Sequence, residues 1–307
     1  MIQLFHINNY VLDTSSFDHH LHGTVVTEFE QEFARYVGAK YSCGASSATN
    51  LIFLALQNKN VTVTLPSILP PVVCNAVLTS GNKIYFNDNV DWVGSSYVLH
   101  HFDDYKIIDS AQKVDKDQFK TEANDNDLML FSLYPTKPVG SLDGGIIVSN
   151  DYDKIKWFKE ATFNGMSYSK NNWDRDIVFP GWKMYLDSIR ATIALNNLRK
   201  LEEKKQKLSQ LRLQYNQELG YTNTSDHLYR IEVDNNKKFI EKMHDKNIIC
   251  GIHYRALNTH PVYSVIADES ACVHSEALQN ITVSIPYHEN ITESQAEYII
   301  NEIKHNI

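Results

Sequence analysis

The sequence predicts an α/β protein: a large domain on a mainly parallel central sheet, followed by a smaller C-terminal α+β domain. Three observations carry this. Short apolar, β-branched segments alternate with amphipathic ones over the first part of the chain, the pattern of crossover units. A long polar helical pattern from Asp187 to Leu219 then interrupts the alternation. The residues beyond it read as one compact strand-and-helix unit. With 307 residues, 43% of them hydrophobic, the chain can bury one large core and one smaller one. We place the large domain, with its N-terminal segment, at 1–200 and the small one at 201–307.

The elements follow in order. Thr27 and Glu30 spell a T-x-x-E capping box, and Phe29, Phe33 and Val37 follow at helical spacing, so an amphipathic helix is expected to start at Thr27. The run YSCGASSATNLIFLAL reads as a turn of small residues leading into a buried helix, Thr49 to Leu56. Val61 to Leu65 alternates as a strand. Pro70 and Pro71 open a helix that ends near Gly81. Strands are expected at 83–86, 97–100, 106–109, 128–133 and 145–149. One helix then runs from Asp187 to Leu219. Ile189, Ile193, Leu201, Leu208, Leu211 and Tyr215 mark its apolar side, and Gly220 is its C-cap. The tail reads as strand HLYRIEV, helix FIEKMHDK, strands IICGIHY and ITVSIP, and a closing helix with a second capping box, Thr292 with Gln295.

Composition narrows the function. A formal net charge of -8 without a concentrated basic run argues against nucleic-acid binding. Cys43, Cys74, Cys250 and Cys272 are scattered, with no metal-ligand spacing, and read as reduced thiols, with Cys43, Cys74 and Cys250 in apolar segments as small buried hydrophobes. No signal-peptide pattern and no membrane-length apolar run is present, so a cytoplasmic protein is expected. His19, His20 and His22 lack acidic or thiol partners at ligand spacing, so a solvated loop rather than a metal site is expected.

Three segments carry chemistry, all at strand ends, where α/β sheets place their active sites. Gly44 to Asn50 (GASSATN) brings small residues and hydroxyls to a helix N-terminus, a pocket suited to a phosphate. Lys106 to Gln112 (KIIDSAQ) ends an apolar strand in Asp109, a charge that is costly to bury without a cationic partner. Leu128 to Gly145 carries Ser132, Tyr134 and Lys137, the lysine flanked by Pro135 and Pro138 between two apolar strands. Desolvation there would lower the lysine pKa and free its amine for imine formation. Each segment alone has a bland reading. Together they supply a phosphate cradle, an anion for a pyridine nitrogen and an amine for an aldehyde, the three parts that pyridoxal phosphate (PLP) requires.

The run resembles the DegT/DnrJ/EryC1/StrS family of PLP-dependent sugar aminotransferases, a branch of the aspartate-aminotransferase fold (fold type I). Ser46-Ser47-Ala48-Thr49-Asn50-Leu51 is similar to the family's phosphate segment, Asp109-Ser110-Ala111-Gln112 to its D-A-A-Q, and Ser132 to Lys137 with Leu142-Asp143-Gly144-Gly145 to its Schiff-base segment. TEFEQEFARYVGAKY, HYRALNTHPVY and VSIPYHENITESQAEYI extend the likeness over most of the chain. The resemblance implies that Lys137 anchors the cofactor as a Schiff base and carries the proton between substrate and cofactor. It implies that Asp109 pairs with the pyridinium nitrogen and that Gln112 meets the oxygen side of the ring. Ser132, Thr49 and the backbone at Ala48 would bind phosphate, and His253 and Tyr254 a sugar-nucleotide substrate. It also implies an amino donor, with glutamate first, and a homodimer with a shared active site.

The chain departs from the family pattern in four places. No aromatic follows Pro66-Ser67 where the family stacks one on the cofactor. Lys183 stands where the family places an Asn reaching the neighbouring subunit's phosphate, and Tyr185 replaces an Arg. Ala48 replaces a Gly. The stretch from Thr49 to Asp109 is short. Two other readings therefore stay open: another PLP reaction, such as elimination, decarboxylation or epimerisation, and a non-catalytic descendant that binds PLP or a sugar nucleotide.

Overall fold

A computed structural model describes residues 1–167, 175–267 and 271–307. The elements run α1 (Thr24–Val37), β1 (Tyr41–Ala45), α2 (Ala48–Leu56), β2 (Thr62–Pro66), α3 (Pro71–Thr79), β3 (Lys83–Asn87), β4 (Tyr97–His101), β5 (Lys106–Asp109), α4 (Gln118–Glu122), β6 (Leu128–Ser132), β7 (Gly145–Ser149) and α5 (Tyr152–Thr162). There follow α6 (Ser188–Arg199), α7 (Leu201–Leu219), β8 (Tyr229–Glu232), α8 (Asn236–Asp245), α9 (Pro261–Ser264), α10 (Val273–Ile281), β9 (Thr282–Ile285) and α11 (Glu293–Asn306).

The α/β class holds, but the sheet is mixed where the sequence suggested a mainly parallel one. Its order is β1-β7-β6-β5-β4, and within it only β5 and β6 pair in parallel. Connection length is the reason. A parallel return needs a crossover of a dozen or more residues, usually through a helix. Only four residues, 102–105, join β4 to β5, and Phe102 N donates to Tyr105 O (2.8 Å) to close the hairpin. The β6–β7 link, 133–144, holds no helix and also returns antiparallel. β2 and β3 form a separate parallel pair joined through α3.

Two large apolar clusters sandwich the sheet. One gathers Leu51, Leu54 and Leu65 with Ile107, Leu130 and Ile147; the other gathers Phe29, Phe33 and Phe131 with Ile108, Met129 and Ile146. Alternate residues of β5, β6 and β7 thus face opposite helical layers, the pattern of strands covered on both faces.

Local expectations changed in four places. α1 starts at Thr24, and Asp18 caps it by accepting from Thr24 N (3.0 Å); Thr27 lies inside the helix. Glu30 is drawn inward instead, accepting from Gly44 N and from Lys159 Nζ, both at 2.7 Å. Tyr41–Ala45, read as a turn, is an edge strand on β7. The long helix bends at Lys200, so that α6 packs on α1, where Arg199 grips Glu28 and Glu32 (2.6 Å each), and α7 packs on α11. Finally, IICGIHY forms no strand. It makes single bridges, Ile248 with Ile2 and Gly251 with Ser284, and its backbone is satisfied by two different neighbours.

Residues of α7, β8, α8, β9 and α11 share a third apolar cluster, with Tyr215, Tyr229, Met243 and Ile303 fully buried. The Thr292–Gln295 capping box is formed and Gly220 caps α7 at φ 75°. All four cysteines are buried. Among the described residues, no helix is long and apolar enough to cross a membrane, and no group of three or more metal-ligating side chains occurs.

Candidate active site

Asp109 closes β5 at the C-terminal edge of the sheet and is 4% exposed. Its Oδ1 accepts from Ala111 N (2.9 Å), and its Oδ2 accepts from the Tyr97 hydroxyl (3.0 Å). The β4–β5 hairpin puts Tyr97 directly opposite. Burial pushes the Asp109 pKa up; the two donors and the charge of Lys137 pull the other way.

Lys137 lies in the β6–β7 loop, which is tied down along its length. Lys137 N donates to Tyr134 O (2.9 Å), Ser141 N to Leu133 O (2.8 Å), Ser141 Oγ to Arg190 O (2.8 Å) and Lys204 Nζ to Pro138 O (3.4 Å). Burial lowers the Lys137 pKa to about 8, against the opposing pull of Asp109. Its Nζ stands 3.4 Å from His227 Nε2. His227 is buried under the ring of Phe5 (centroids 5.7 Å apart), and desolvation, then the Lys137 charge, holds its pKa well below the usual histidine range.

The N-terminus of α2 comes to the same edge. Ser47 is its N-cap, accepting from Asn50 N (3.1 Å), and Ala48 and Thr49 are its first two residues, whose N–H groups find no partner within the helix. Gly145 makes this approach possible: a Cβ there would lie 2.4 Å from Ala48 N. Ser132 is paired with Gly145 across β6 and β7 and is 9% exposed, so its hydroxyl stands beside this helix end. Unpartnered helix N–H groups so placed make this edge the candidate cradle for an anion.

Gln112 joins the C-terminal segment to the sheet edge. Its Oε1 accepts from Gly94 N (2.7 Å), and its Nε2 donates to the Tyr254 hydroxyl (2.9 Å). The Tyr254 ring is parallel to Trp92 within 2°, at 6.2 Å, and burial raises its hydroxyl pKa. His253 lies 2.9 Å from Ser284 Oγ through Nδ1, and burial, then Lys137 and Arg230, lowers its pKa to about 4. Thus Asp109, Gln112, Lys137, His253 and Tyr254 are linked by contacts or charge, and Ala48, Thr49 and Ser132 sit together. Lys183 is apart. Its backbone bridges Phe163, its side chain is exposed, and its charge acts on His22; the bond that reaches the cradle is Ser46 N to Met184 O (2.7 Å). Tyr134 is 53% exposed and takes part through its backbone: its N donates to Ser132 Oγ (3.2 Å) and its carbonyl accepts from Lys137 N.

Sequence reasoning missed Tyr97, Trp92 and His227. Tyr97 was only partly findable: the four-residue β4–β5 link alone would set Val98 opposite Asp109, and a bulge between Val98 and His100 moves Tyr97 into that place. Trp92 carried no sequence signal. Its indole N–H donates to Ile68 O (3.1 Å), which brings an aromatic ring to the segment after Pro66-Ser67 that has none of its own. Nothing in the sequence marked His227 either, since the chain folds back 90 residues to meet Lys137.

The fold and this edge define the class of fold type I, PLP-dependent transferases. An aminotransferase from Streptoalloteichus hindustanus superposes with a TM-score of 0.83 at 18% identity, covering 100% of this chain and 98% of that one. Helicobacter pylori PseC, an aminotransferase of pseudoaminic acid biosynthesis, gives 0.80 at 17%, with 98% of each chain covered. The chain belongs to the DegT/DnrJ/EryC1/StrS aminotransferase family, whose model matches residues 5–93 and 116–304. The unmatched 94–115 spans Asp109 and Gln112, in the stretch that is short here. In sequence, the UDP-4-amino-4,6-dideoxy-N-acetyl-beta-L-altrosamine transaminase of Campylobacter jejuni (strain 81-176) is 24% identical over 90% of this chain and 88% of its own. The spore coat polysaccharide biosynthesis protein SpsC of Bacillus subtilis is 23% identical over 92% and 89%. The family's cofactor is PLP, and the residues here fit it: a desolvated amine on the β6–β7 loop, a buried carboxylate ending β5 and the α2 end opened by Gly145 of β7.

Proposed function

We propose that the enzyme transfers an amino group from an amino acid, glutamate in the first instance, to a keto-sugar carried on a nucleotide. One observation carries the reading: the amine of Lys137, its pKa lowered to about 8, stands in the field of the buried Asp109 carboxylate. The Campylobacter relative, named as a UDP-sugar transaminase, supports the nucleotide-linked acceptor.

When bound, PLP supplies an aldehyde for an amine and a ring that takes up the electron pair left on the substrate Cα. The chain does the rest. Lys137 would hold the cofactor covalently and, released by an incoming amine, move the proton between substrate and cofactor. Asp109, fixed by Ala111 N and Tyr97, would keep a proton on the ring nitrogen. The N–H groups of Ala48 and Thr49, with Ser132, would hold the phosphate. His227, kept neutral by burial, would accept a hydrogen bond from the Lys137 amine and aim it. Gln112 and Trp92 would wall the ring, and His253 and Tyr254 would meet the sugar.

The same reading takes the enzyme as a cytoplasmic homodimer with divisions at 1–200 and 201–307, and Lys183 as a phosphate contact. The separate apolar cluster built from α7, β8, α8, β9 and α11 supports the division, while Leu257, Tyr263 and Cys272 pack on the core of the large domain. To test the function, PLP is added and the visible band recorded, glutamate and other donors are offered, and the protein is reduced with borohydride and mapped. A donor-responsive band with the pyridoxyl adduct on Lys137 is expected. An adduct spread over surface lysines would refute the assignment.

A further inference from the structure

In β8, Tyr229 and Ile231 are sealed in the C-terminal core, so Arg230 between them leaves by the opposite face. Arg230 is paired with Ser284 across β8 and β9, and Ser284 holds His253. The guanidinium lines a cavity of about 450 Å³ together with Gln112, the partner of Tyr254. Lys204 lies on the same wall and reaches back to the carbonyl of Pro138, next to Lys137.

Among the described residues, Arg230 forms no ion pair and no side-chain hydrogen bond. Burial lowers its pKa, and its titratable neighbours are Tyr254, whose phenol burial keeps neutral, and the carboxylates of Glu232 and Asp91. Glu232 and Asp91 are both exposed. The other carboxylates of the cavity are engaged elsewhere. Asp226 pairs with Arg212 and Lys205, and Asp115 with Lys205 and Lys113. Arg230 is half-buried, and a cation partly withdrawn from water without a partner carries a desolvation cost. A rigid five-donor fork in a polar cavity, next to the residues expected to meet substrate, is suited to a planar or tetrahedral oxyanion.

We propose that Arg230 is a specificity residue that grips a substrate oxyanion, either a carboxylate of the amino donor or a phosphate of the nucleotide carrier. This rests on the aminotransferase reading of the Lys137 site. Whichever oxyanion binds, the half-buried charge gains the partner that the free protein does not give it.

The PLP-loaded wild type, Arg230→Gln and Arg230→Lys are compared in the two half-reactions separately. Formation of the pyridoxamine form is followed against glutamate concentration, and return of the PLP form against UDP-4-keto-sugar concentration. Loss of one charge-assisted pair predicts that Arg230→Gln raises the half-saturating concentration of one substrate by about 10- to 100-fold and leaves the other unchanged. A rise for glutamate identifies the carboxylate, and a rise for the nucleotide sugar identifies the phosphate. Arg230→Lys, which keeps the charge without the fork, should recover part of the loss. As a readout independent of turnover, the loaded proteins are titrated calorimetrically with glutarate and with inorganic pyrophosphate. Wild type should bind one of them and Arg230→Gln should not, with an unchanged melting temperature. Unchanged half-saturation for both substrates and unchanged probe binding would overturn the proposal. If wild type forms no pyridoxamine with any donor, the aminotransferase reading fails instead, and the two titrations still decide on Arg230.

Discussion

At Lys137, burial and charge pull in opposite directions, and burial wins. The amine would need solvation to stay protonated, the loop withholds it, and Asp109 restores only part of the loss. With the folded-state pKa at about 8, neutral amine is the minor form below that pH, so PLP capture by the apo-enzyme should slow about tenfold per pH unit as pH falls from 8 to 6. Stopped-flow absorbance after mixing with PLP measures this, and a flat profile would show a solvated lysine. The stability consequence has the opposite sense to a salt-bridged lysine. Between pH 8 and the ordinary lysine value of 10.5 the unfolded chain binds the extra proton, so this group makes the apo-protein more stable as pH rises through that window. Asp109→Asn keeps the shape and removes the charge that would hold the ring nitrogen protonated. Turnover should drop by at least about 100-fold, with a blue-shifted cofactor band, while PLP still binds. Lys137 and Asp109 were legible because their chemistry is local: strand end, loop, flanking prolines. His227 and Trp92 were not, because each reaches the site through tertiary contacts that no local pattern encodes.

Helix α2 and strand β7 show how an element becomes a binding surface. The helix end can sit over β7 only because Gly145 lacks a side chain, since a methyl group would meet backbone atoms of Ser47 and Ala48 at 2.4–2.8 Å. Backbone cannot swing aside as a flexible side chain does, so Gly145→Ala should push the N-terminus of α2 outward. Overpacking of this kind costs about 1–3 kcal/mol, and the cradle geometry goes with it. A lower melting temperature and a PLP affinity weakened more than tenfold are expected, whereas a normal affinity would show that the helix end is not the phosphate site. Periodicity placed β2 to β7 and β9 within a residue of where they are, but it missed β1 and read a strand into IICGIHY. It failed where two elements compete for one segment. Thr27 and Glu30 matched a capping box, yet Asp18 took the cap and Lys159 took Glu30. The parallel arrangement also went wrong at the element scale, although the sequence held the answer: four residues between β4 and β5 are too few for a crossover. At the other end of the chain the Thr292 box formed as read, with Thr292 Oγ1 accepting from Gln295 N and Gln295 Oε1 accepting from Thr292 N. Thr292→Ala should cost about 1 kcal/mol by chemical denaturation, without change at the active site.

For the whole molecule, the single chain assembles the amine, the carboxylate and the cradle, but it leaves Lys183 outside them. Residues 182–185 lie beside the cradle through the Ser46–Met184 hydrogen bond, while the Lys183 side chain points into solvent. A cation so placed contributes little within its own chain. In the two-fold dimer proposed above, the same cation on the partner would be the one to meet the phosphate. The expected dimer gives this a sharp consequence. Lys137→Ala and Lys183→Ala proteins should each be close to inactive alone. Unfolded together and refolded, they should regain about a quarter of wild-type activity, because half the dimers are mixed and one site in each mixed dimer has both lysines intact. Within a single chain, mixing would restore nothing, since every site would lack one lysine or the other. Sedimentation of the wild type at micromolar concentration checks the premise, and a monomer that turns over substrate would place Lys183 outside the mechanism altogether.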